Sequence, residues 1–95
     1  MRKMVFGNNG VYSGDDQMAF SNNGMYDKCG NMIFGPDGES YTKIGDMYTD
    51  EHGHSYLKID NMVVGSDSNA SVIGDSVIGT GTAATIGALD SIFYQ

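Results

Sequence analysis

The chain has 95 residues, a formal net charge of −7 at pH 7, 14 glycines, one proline and one cysteine. This length fits one domain, residues 1–95, and the acidic balance excludes direct binding to nucleic acid or to an anionic membrane, which require a basic surface. Cys29 alone excludes an internal disulfide framework, and "MRKMVFGNNG" lacks the apolar stretch of a signal peptide, so we expect a cytoplasmic protein.

A unit of 14–15 residues repeats along the chain. Five segments open in the same way: "MVFGNNG", "MAFSNNG", "MIFGPDG", "MYTDEHG" and "MVVGSDS". The regular repeats cover residues 4–67, and "SVIGTGT" and "DSIFYQ" indicate degenerate repeats in residues 68–95. Such self-similarity predicts about six stacked units, because one short unit cannot bury a face alone.

Each unit carries two turns of different chemistry. In "FGPDGE", Pro36 and Asp37 followed by Gly38 predict a type I turn with a one-residue bulge, and "GNNGV", "SNNGM" and "DEHGH" repeat it. The other end of the unit has two-residue corners that are typical of tight hairpins: Gly30-Asn31, Gly45-Asp46 and Asp60-Asn61.

The composition and the turns together predict an all-β fold. Tyr, Val, Ile and Thr are plentiful, and no segment shows the apolar stripe of an amphipathic helix. We predict an antiparallel β-meander of about six hairpin repeats, with about a dozen short strands. A small β-solenoid is the alternative, and a left-handed hexapeptide coil is the alternative for the tail.

The turns also predict which residues face each other across the strands. In the third unit, Phe34 pairs with Ser40 and Ile33 with Tyr41, and residues paired in this way share a face. The face that we expect in the core carries Met32, Phe34, Ile44, Met47, Leu57, Ile59, Met62 and Val64. The other face, an amphipathic stripe, carries Ile33, Tyr41, Lys43, Tyr48, Tyr56, Lys58 and Val63. Tyr12 and Tyr26 break this phase, which predicts β-bulges there.

The units "GPDGESYTKIGDM" and "DEHGHSYLKIDNM" carry a resemblance to known sequences. They resemble the GSDGSSYTRIGN-like repeats of short β-hairpin repeat proteins from proteobacteria and their mobile elements. The likeness spans roughly residues 4–67, and its best-matched positions are Gly38, Ser40, Tyr41, Lys43, Ile44, Gly45 and Asp46. The resemblance implies a repeat architecture and a phage or mobile-element origin, but no particular activity or cofactor.

Candidate ligands for a metal ion occur in "DEHGHS". His52 and His54 could bind a metal with Asp50 or Glu51, but no second cluster completes a tetrahedral set, which favours a solvated turn. Calcium is disfavoured as well, because the acidic corners lack the alternating ligands that end in a bidentate Glu. Those corners hold Asp15, Asp16, Asp46, Asp60 and Asp75. We therefore expect no metal and no cofactor.

No set of residues indicates catalysis. Cys29 occupies the position of Ile44 and Ile59 in later units, so we expect a core residue and not a nucleophile. The glycines follow the turns, and no Lys-Ser or Lys-Thr pair follows them as a phosphate-binding loop requires. We do not expect an enzyme.

Acidic corners and tyrosines together suggest a protein that binds another protein. In a meander, Asp16, Asn31, Asp46, Asp60 and Asp75 would follow one edge, as a crude mimic of nucleic-acid phosphates. We expect the binding residues to be Tyr41, Tyr48, Tyr56, Asp46, Asp60 and Asp75, and the partner to be a larger protein with a basic, nucleic-acid-binding surface, which the chain could inhibit in the host cytoplasm. The alternative is a structural virion, tail or fibre component that forms homo-oligomers through its sheet edges.

Overall fold

Residues 3–7, 10–22, 24–66 and 68–94 are described by a computed structural model. Within these residues the chain forms eleven strands, one short turn at Pro36–Gly38 and one α-helix. The strands are β1 (Lys3–Gly7), β2 (Gly10–Gly14), β3 (Met18–Ser21), β4 (Gly24–Cys29), β5 (Met32–Phe34), β6 (Ser40–Ile44), β7 (Met47–Asp50), β8 (Ser55–Ile59), β9 (Met62–Gly65), β10 (Asn69–Ile73) and β11 (Ser76–Gly79). The helix, α1, is Gly81–Phe93.

The strands form a closed barrel. Each strand pairs in antiparallel fashion with the next along the chain, and β1 closes the sheet by a parallel pairing of Phe6 with Ser76 of β11. The all-β prediction is confirmed, whereas an open meander and a solenoid are not what the chain forms. Closure joins the first strand to the last, and it removes most of the open edge that edge-to-edge self-association would need.

The predicted cross-strand register is confirmed. Phe34 pairs with Ser40, Ile33 with Tyr41, and Ile44 with Met47 across the next corner. Every strand then contributes one side chain to an inner ring, and each ring residue is at most 4% exposed. The inner ring consists of Val5, Tyr12, Ala19, Tyr26, Ile33, Tyr41, Tyr48, Tyr56, Val63, Ala70 and Val77. Tyr12 and Tyr26 belong to this ring, so the prediction of bulges that set them out of phase is wrong.

The assignment of the two faces is inverted. Met47 and Leu57, which we expected in the core, lie on the outside of the barrel and are 36% and 44% exposed. Phe34, Ile44, Ile59, Met62 and Val64 are exposed as well, and Met32 lies on the same outer face, since it pairs with Thr42. The physical reason is closure: the face that turns inward must reach a central element, and long tyrosines with small valines and alanines fill that space.

The central element is helix α1. Its side chains are buried on all sides, among them Ile86, Leu89 and Ile92, which are at most 1% exposed. The prediction that residues 68–95 are degenerate repeats fails after β11, because "GTAATIGALDSIF" is helical and forms neither a strand nor a hexapeptide coil. A helix that is apolar all round shows no stripe, which explains why the sequence pattern did not reveal it.

The helix lies off the barrel axis. It packs against β9, β10, β11, β1 and β2, whose ring residues are small except for Tyr12. Gly87 allows the closest approach, since a Cβ there would lie 3.2 Å from Val72 Cγ2 and 3.4 Å from Val77 Cγ1. On the far side the wider gap is filled by the rings of Tyr26, Tyr41, Tyr48 and Tyr56.

Glycines at the ends of two strands make room for these rings. A Cβ on Gly35 would collide with the ring of Tyr26, and one on Gly65 would collide with the ring of Tyr56, its cross-strand partner. Each tyrosine thus covers the backbone at the end of a neighbouring strand, which explains why Gly35, the residue after β5, and Gly65, the last residue of β9, have no side chain.

The turn after β5 differs in type from the prediction. The Glu39 N–H donates to Pro36 O over 3.1 Å, and both Asp37 (φ 59°) and Gly38 (φ 82°) are left-handed, as in a type I′ turn and not a type I turn. The two-residue corners begin with a residue of positive φ: Gly30, Gly45, Asp60 and Gly74. The Asn8-Asn9 turn and Asn23 lie outside the described residues.

Candidate functional site

Four lysines converge on one end of the barrel. Even-numbered strands finish and odd-numbered strands begin at this end, which we call the lysine end, and α1 runs toward it. Lys28, Lys43 and Lys58 each lie two residues after an inner-ring tyrosine, and Lys3 lies two residues before Val5, so all four side chains share the inward face. Residues expected on an outer stripe, including Lys43 and Lys58, are therefore inside.

A buried carboxylate, that of Asp90, meets these lysines. Lys58 Nζ lies 3.2 Å from Asp90 Oδ2, and their side chains are only 14% and 4% exposed. The Tyr48 hydroxyl donates a hydrogen bond to Asp90 Oδ1. Burial, followed by this hydrogen bond, raises the pKa of Tyr48 well above its ordinary value. The pairs attach α1 to β7 and β8 and leave Tyr48 protonated at neutral pH.

The ring of Tyr94, the residue after α1, lies close to the ammonium groups of two further lysines. Lys28 Nζ lies 4.6 Å and Lys43 Nζ 5.3 Å from the centre of its ring, within the range of cation–π attraction. Its hydroxyl is buried and has no hydrogen-bond partner among the described residues. Burial of the hydroxyl raises the pKa of Tyr94 most, and the negative charge of Asp90 raises it further. Lys3 Nζ donates to Ser91 O over 3.2 Å, at the same end of the helix.

The predicted tyrosine stripe is not on the surface. Tyr41, Tyr48 and Tyr56 are at most 3% exposed and point into the barrel, so the folded chain does not present the stripe that we expected on its surface. The Tyr41 hydroxyl donates to Glu39 Oε2 over 2.7 Å, and burial, followed by this bond, raises its pKa. These side chains hold the barrel together around α1.

The predicted acidic residues lie together at the lysine end. Asp46, Asp60 and Asp75 are exposed at the corners that join even strands to odd strands. Backbone hydrogen bonds connect each corner to the next strand, as in Lys58 N–H to Asp46 O over 2.8 Å and Phe6 N–H to Asp75 O over 2.7 Å. The exposed carboxylates therefore surround the inward-facing lysines.

An apolar patch covers the outside of β6–β9. Ile44 pairs with Met47, Met47 with Leu57 and Leu57 with Val64, which makes a continuous apolar row across four strands. Ile59 and Met62 form a second pair beside this row. We call these residues the outer patch: Ile44, Met47, Leu57, Ile59, Met62 and Val64, each 36–58% exposed. The period of two revealed these residues, but we expected them in the core.

The histidine turn lies at the opposite end of the barrel. Asp50 Oδ1 accepts the backbone N–H groups of His52 and His54, both over 2.9 Å. Burial opposes ionisation of Asp50, but these two bonds outweigh it and lower its pKa. In the described part of the chain, no three His, Cys, Asp or Glu side chains come close enough to hold a metal ion.

Two further features concern the barrel wall. Cys29 is exposed on the outer face, so its prediction as a core residue is wrong. Where β1 extends past the start of β11, a groove of about 630 Å³ opens between the strands. It is lined by Lys3, Met4, Val5, Phe6, Val72, Gly74, Asp75 and Ser91.

Among the described residues, no helix has the length and apolar character needed to span a membrane. Comparison of the chain with protein-family models, with curated proteins and with solved structures finds no match.

Proposed function

We propose that this chain is a non-catalytic protein that binds a larger protein through the outer patch. The observation that carries the proposal is the continuous row of exposed apolar side chains on β6–β9, which are 36–58% exposed. Contiguous apolar surface of this kind marks interaction sites in folded proteins, whereas isolated apolar residues do not. The patch replaces the tyrosines of the sequence-based hypothesis as the apolar centre of the interface.

Charge around the outer patch indicates the chemistry of the partner. Asp46 and Asp60 are exposed at the corners beside one end of the patch, and Glu51 is exposed beside the other. Of the lysines on the same strands, Lys58 pairs with the buried Asp90 and not with these surface carboxylates. A partner with an apolar centre and a basic rim fits best, because opposite charges at a rim accelerate association.

A basic rim is typical of nucleic-acid-binding proteins. The proposal therefore includes inhibition of such a protein by occupation of its basic surface, in the cytoplasm of a host cell. The repeat resemblance in residues 4–67 supports a phage or mobile-element origin. No enzyme activity is part of the proposal, because Asp90, the buried carboxylate at the lysine end, is held in structural contacts with Lys58 and Tyr48.

Self-assembly as a structural virion, tail or fibre component is the second candidate. It is favoured by the outward apolar residues on strands beyond the patch, such as Phe20 on β3 and Ile78 on β11, which are 44% and 60% exposed. Against it, two copies with a formal charge of −7 repel each other, and the acidic corners would meet at a shared interface. We therefore rank it second.

Affinity capture from host lysate, followed by mass spectrometry, tests the proposal. A variant with Leu57→Gln and Val64→Gln should lose the partner while keeping the wild-type circular dichroism spectrum. Phe20→Gln, an equally exposed position on β3, is the matched control and should retain the partner.

Light scattering and association kinetics complete the test. The protein alone should be a small species at physiological salt, and Asp46→Asn with Asp60→Asn should slow association and flatten its salt dependence. Recovery of the protein alone, as large homopolymers, would contradict the proposal and support self-assembly.

A further inference from the structure

We propose that the lysine end of the barrel binds a small polyvalent oxyanion of the phosphate or sulfate class, held by Lys28 and Lys43 beside Tyr94. This site lies at the lysine end and shares no residue with the outer patch. The proposal therefore does not depend on the proposed partner protein.

The first argument is that three ammonium groups at this end have no carboxylate of the described residues in contact with them. Lys3, Lys28, Lys43 and Lys58 all turn inward at this end, while the carboxylate that meets them on the helix is that of Asp90. Lys58 pairs with Asp90, but within the described ranges no carboxylate oxygen lies within 4 Å of the ammonium group of Lys3, Lys28 or Lys43. Lys43 Nζ donates a hydrogen bond to Gly45 O and Lys3 Nζ donates one to Ser91 O, but neither acceptor carries a charge that offsets the ammonium group, which an anion would do.

The second argument is the geometry around Tyr94. Lys28 Nζ and Lys43 Nζ lie 4.6 Å and 5.3 Å from the centre of the same ring, so they are at most about 10 Å apart. Lysine side chains are flexible, so rotation of their stems can bring both ammonium groups to one oxyanion, whose several charged oxygens accept hydrogen bonds better than a chloride ion does. The Tyr94 hydroxyl, buried and without a partner among the described residues, is a further donor at this place.

The third argument concerns the size of the anion. Asp46, Asp60 and Asp75 are exposed at the corners around the lysines. A polyanion such as a nucleic acid would meet these carboxylates first and be repelled. A small ion can pass between the corners and reach the ammonium groups, so the arrangement selects inorganic oxyanions over macromolecular ones.

Titration with inorganic phosphate tests the site. Calorimetry at neutral pH should give saturable binding to the wild-type protein, and phosphate should raise the melting temperature more than potassium chloride of equal ionic strength. Lys28→Met with Lys43→Met, which keeps the apolar part of both side chains, should weaken phosphate binding at least tenfold and abolish the extra rise. The increment from phosphate is the relevant quantity, because removing two like charges can itself change the stability.

Two controls make the result specific. Asp46→Asn should tighten phosphate binding by weakening the repulsion at the corners, whereas Asp37→Asn, an exposed acid at the opposite end, should have no effect. A phosphoserine peptide should bind more weakly than inorganic phosphate, and the opposite order would overturn the assignment to a small free anion. Equal melting temperatures of the wild-type protein in phosphate and in chloride would refute the site, and so would a phosphate increment that survives in the double lysine variant. If the double lysine variant does not fold, calorimetry on the wild-type protein decides, and an absence of phosphate binding there would refute the site.

Discussion

Replacing Tyr48 by Ala is the most direct test of the inverted faces. Tyr48 is fully buried on the inner ring, and its neighbour Met47 on the same strand is 36% exposed on the outer face. Deleting a buried aromatic ring leaves a cavity and costs about 3–5 kcal/mol of unfolding free energy. The hydroxyl that donates to Asp90 is lost as well, which leaves the buried carboxylate with one partner fewer and adds about 1–3 kcal/mol.

Two companion variants separate these contributions. Tyr48→Phe removes the hydroxyl alone and should cost about 1–3 kcal/mol. Met47→Ala removes a side chain that is already partly in water, and it should cost about 1 kcal/mol, since roughly two thirds of its apolar area is covered. Met47→Ala should therefore be at least as stable as Tyr48→Phe, and both variants should be more stable than Tyr48→Ala.

Urea denaturation followed by far-ultraviolet circular dichroism gives the unfolding free energies. A total loss of about 4–8 kcal/mol is comparable to the whole stability of a domain of this size, so Tyr48→Ala should be largely unfolded without urea. If Met47→Ala were more destabilising than Tyr48→Ala, the outer face would be the core and the barrel arrangement would be refuted.

Three further predictions concern the backbone, the helix and pH. Asp60 has φ 54° where the equivalent corners have glycine, so Asp60→Gly should raise the unfolding free energy by about 0.5–1 kcal/mol. At Gly45 an added Cβ would meet no atom within 4 Å, so Gly45→Ala should lower the unfolding free energy by about 1 kcal/mol through the positive φ alone, and urea titrations of both variants check these values. Gly87→Ala should leave the stability nearly unchanged, because the gain in helix propensity offsets a 3.2 Å contact with Val72. Gly87→Leu should cost about 1–3 kcal/mol by overpacking, and a melting temperature of this variant equal to that of the wild type would contradict the close approach of α1. Burial and neighbouring carboxylates raise the folded-state pKa of three tyrosines above the unfolded value of about 10. Their contribution to stability is therefore complete below that pH, and above it the contribution falls by about 1.4 kcal/mol per pH unit for each residue. Phenolate absorbance should rise together with unfolding, and ionisation of these tyrosines in the folded protein near pH 10 would refute the prediction. These tyrosines are Tyr26, Tyr41 and Tyr48.

The strand register could be predicted because it depends on local chemistry. Turn residues such as Asp37 and Gly38 set the loop length, and the period of two then determines every pairing, as for Phe34 and Ser40. Even where the turn type was wrong, the number of residues in the loop was right. The register therefore followed from the sequence.

The choice of the inner face could not be predicted from the same pattern. Both faces of β6–β9 are apolar, and a hydrophobicity argument places Met47 and Leu57 inside in preference to Tyr48 and Tyr56. What decides the matter is closure around a helix, which offers Asp90 to the Tyr48 hydroxyl. That helix shows no stripe, because it is buried on all sides.

The lysine end left a signal that could have revealed it. Lysine follows an inner tyrosine by two residues in "YDK", "YTK" and "YLK", which places Lys28, Lys43 and Lys58 on the face of the tyrosines at one end of the strands. Three equivalent lysines on a buried face predict a shared buried partner. The identity of that partner, Asp90 on a helix far along the chain, depends on the tertiary fold alone.

The position of α1 in the chain has a consequence for synthesis. All eleven strands precede the helix that fills their interior, so during translation the sheet residues leave the ribosome before their core exists. Tyr48 and Lys58 can contact Asp90 only after the helix has been synthesised, and β1 can pair only after β11 has been synthesised. The contacts that complete the barrel therefore join distant parts of the chain. Folding is therefore expected to be slow and to begin only when the helix has emerged, with the tyrosines and the lysines in water until then.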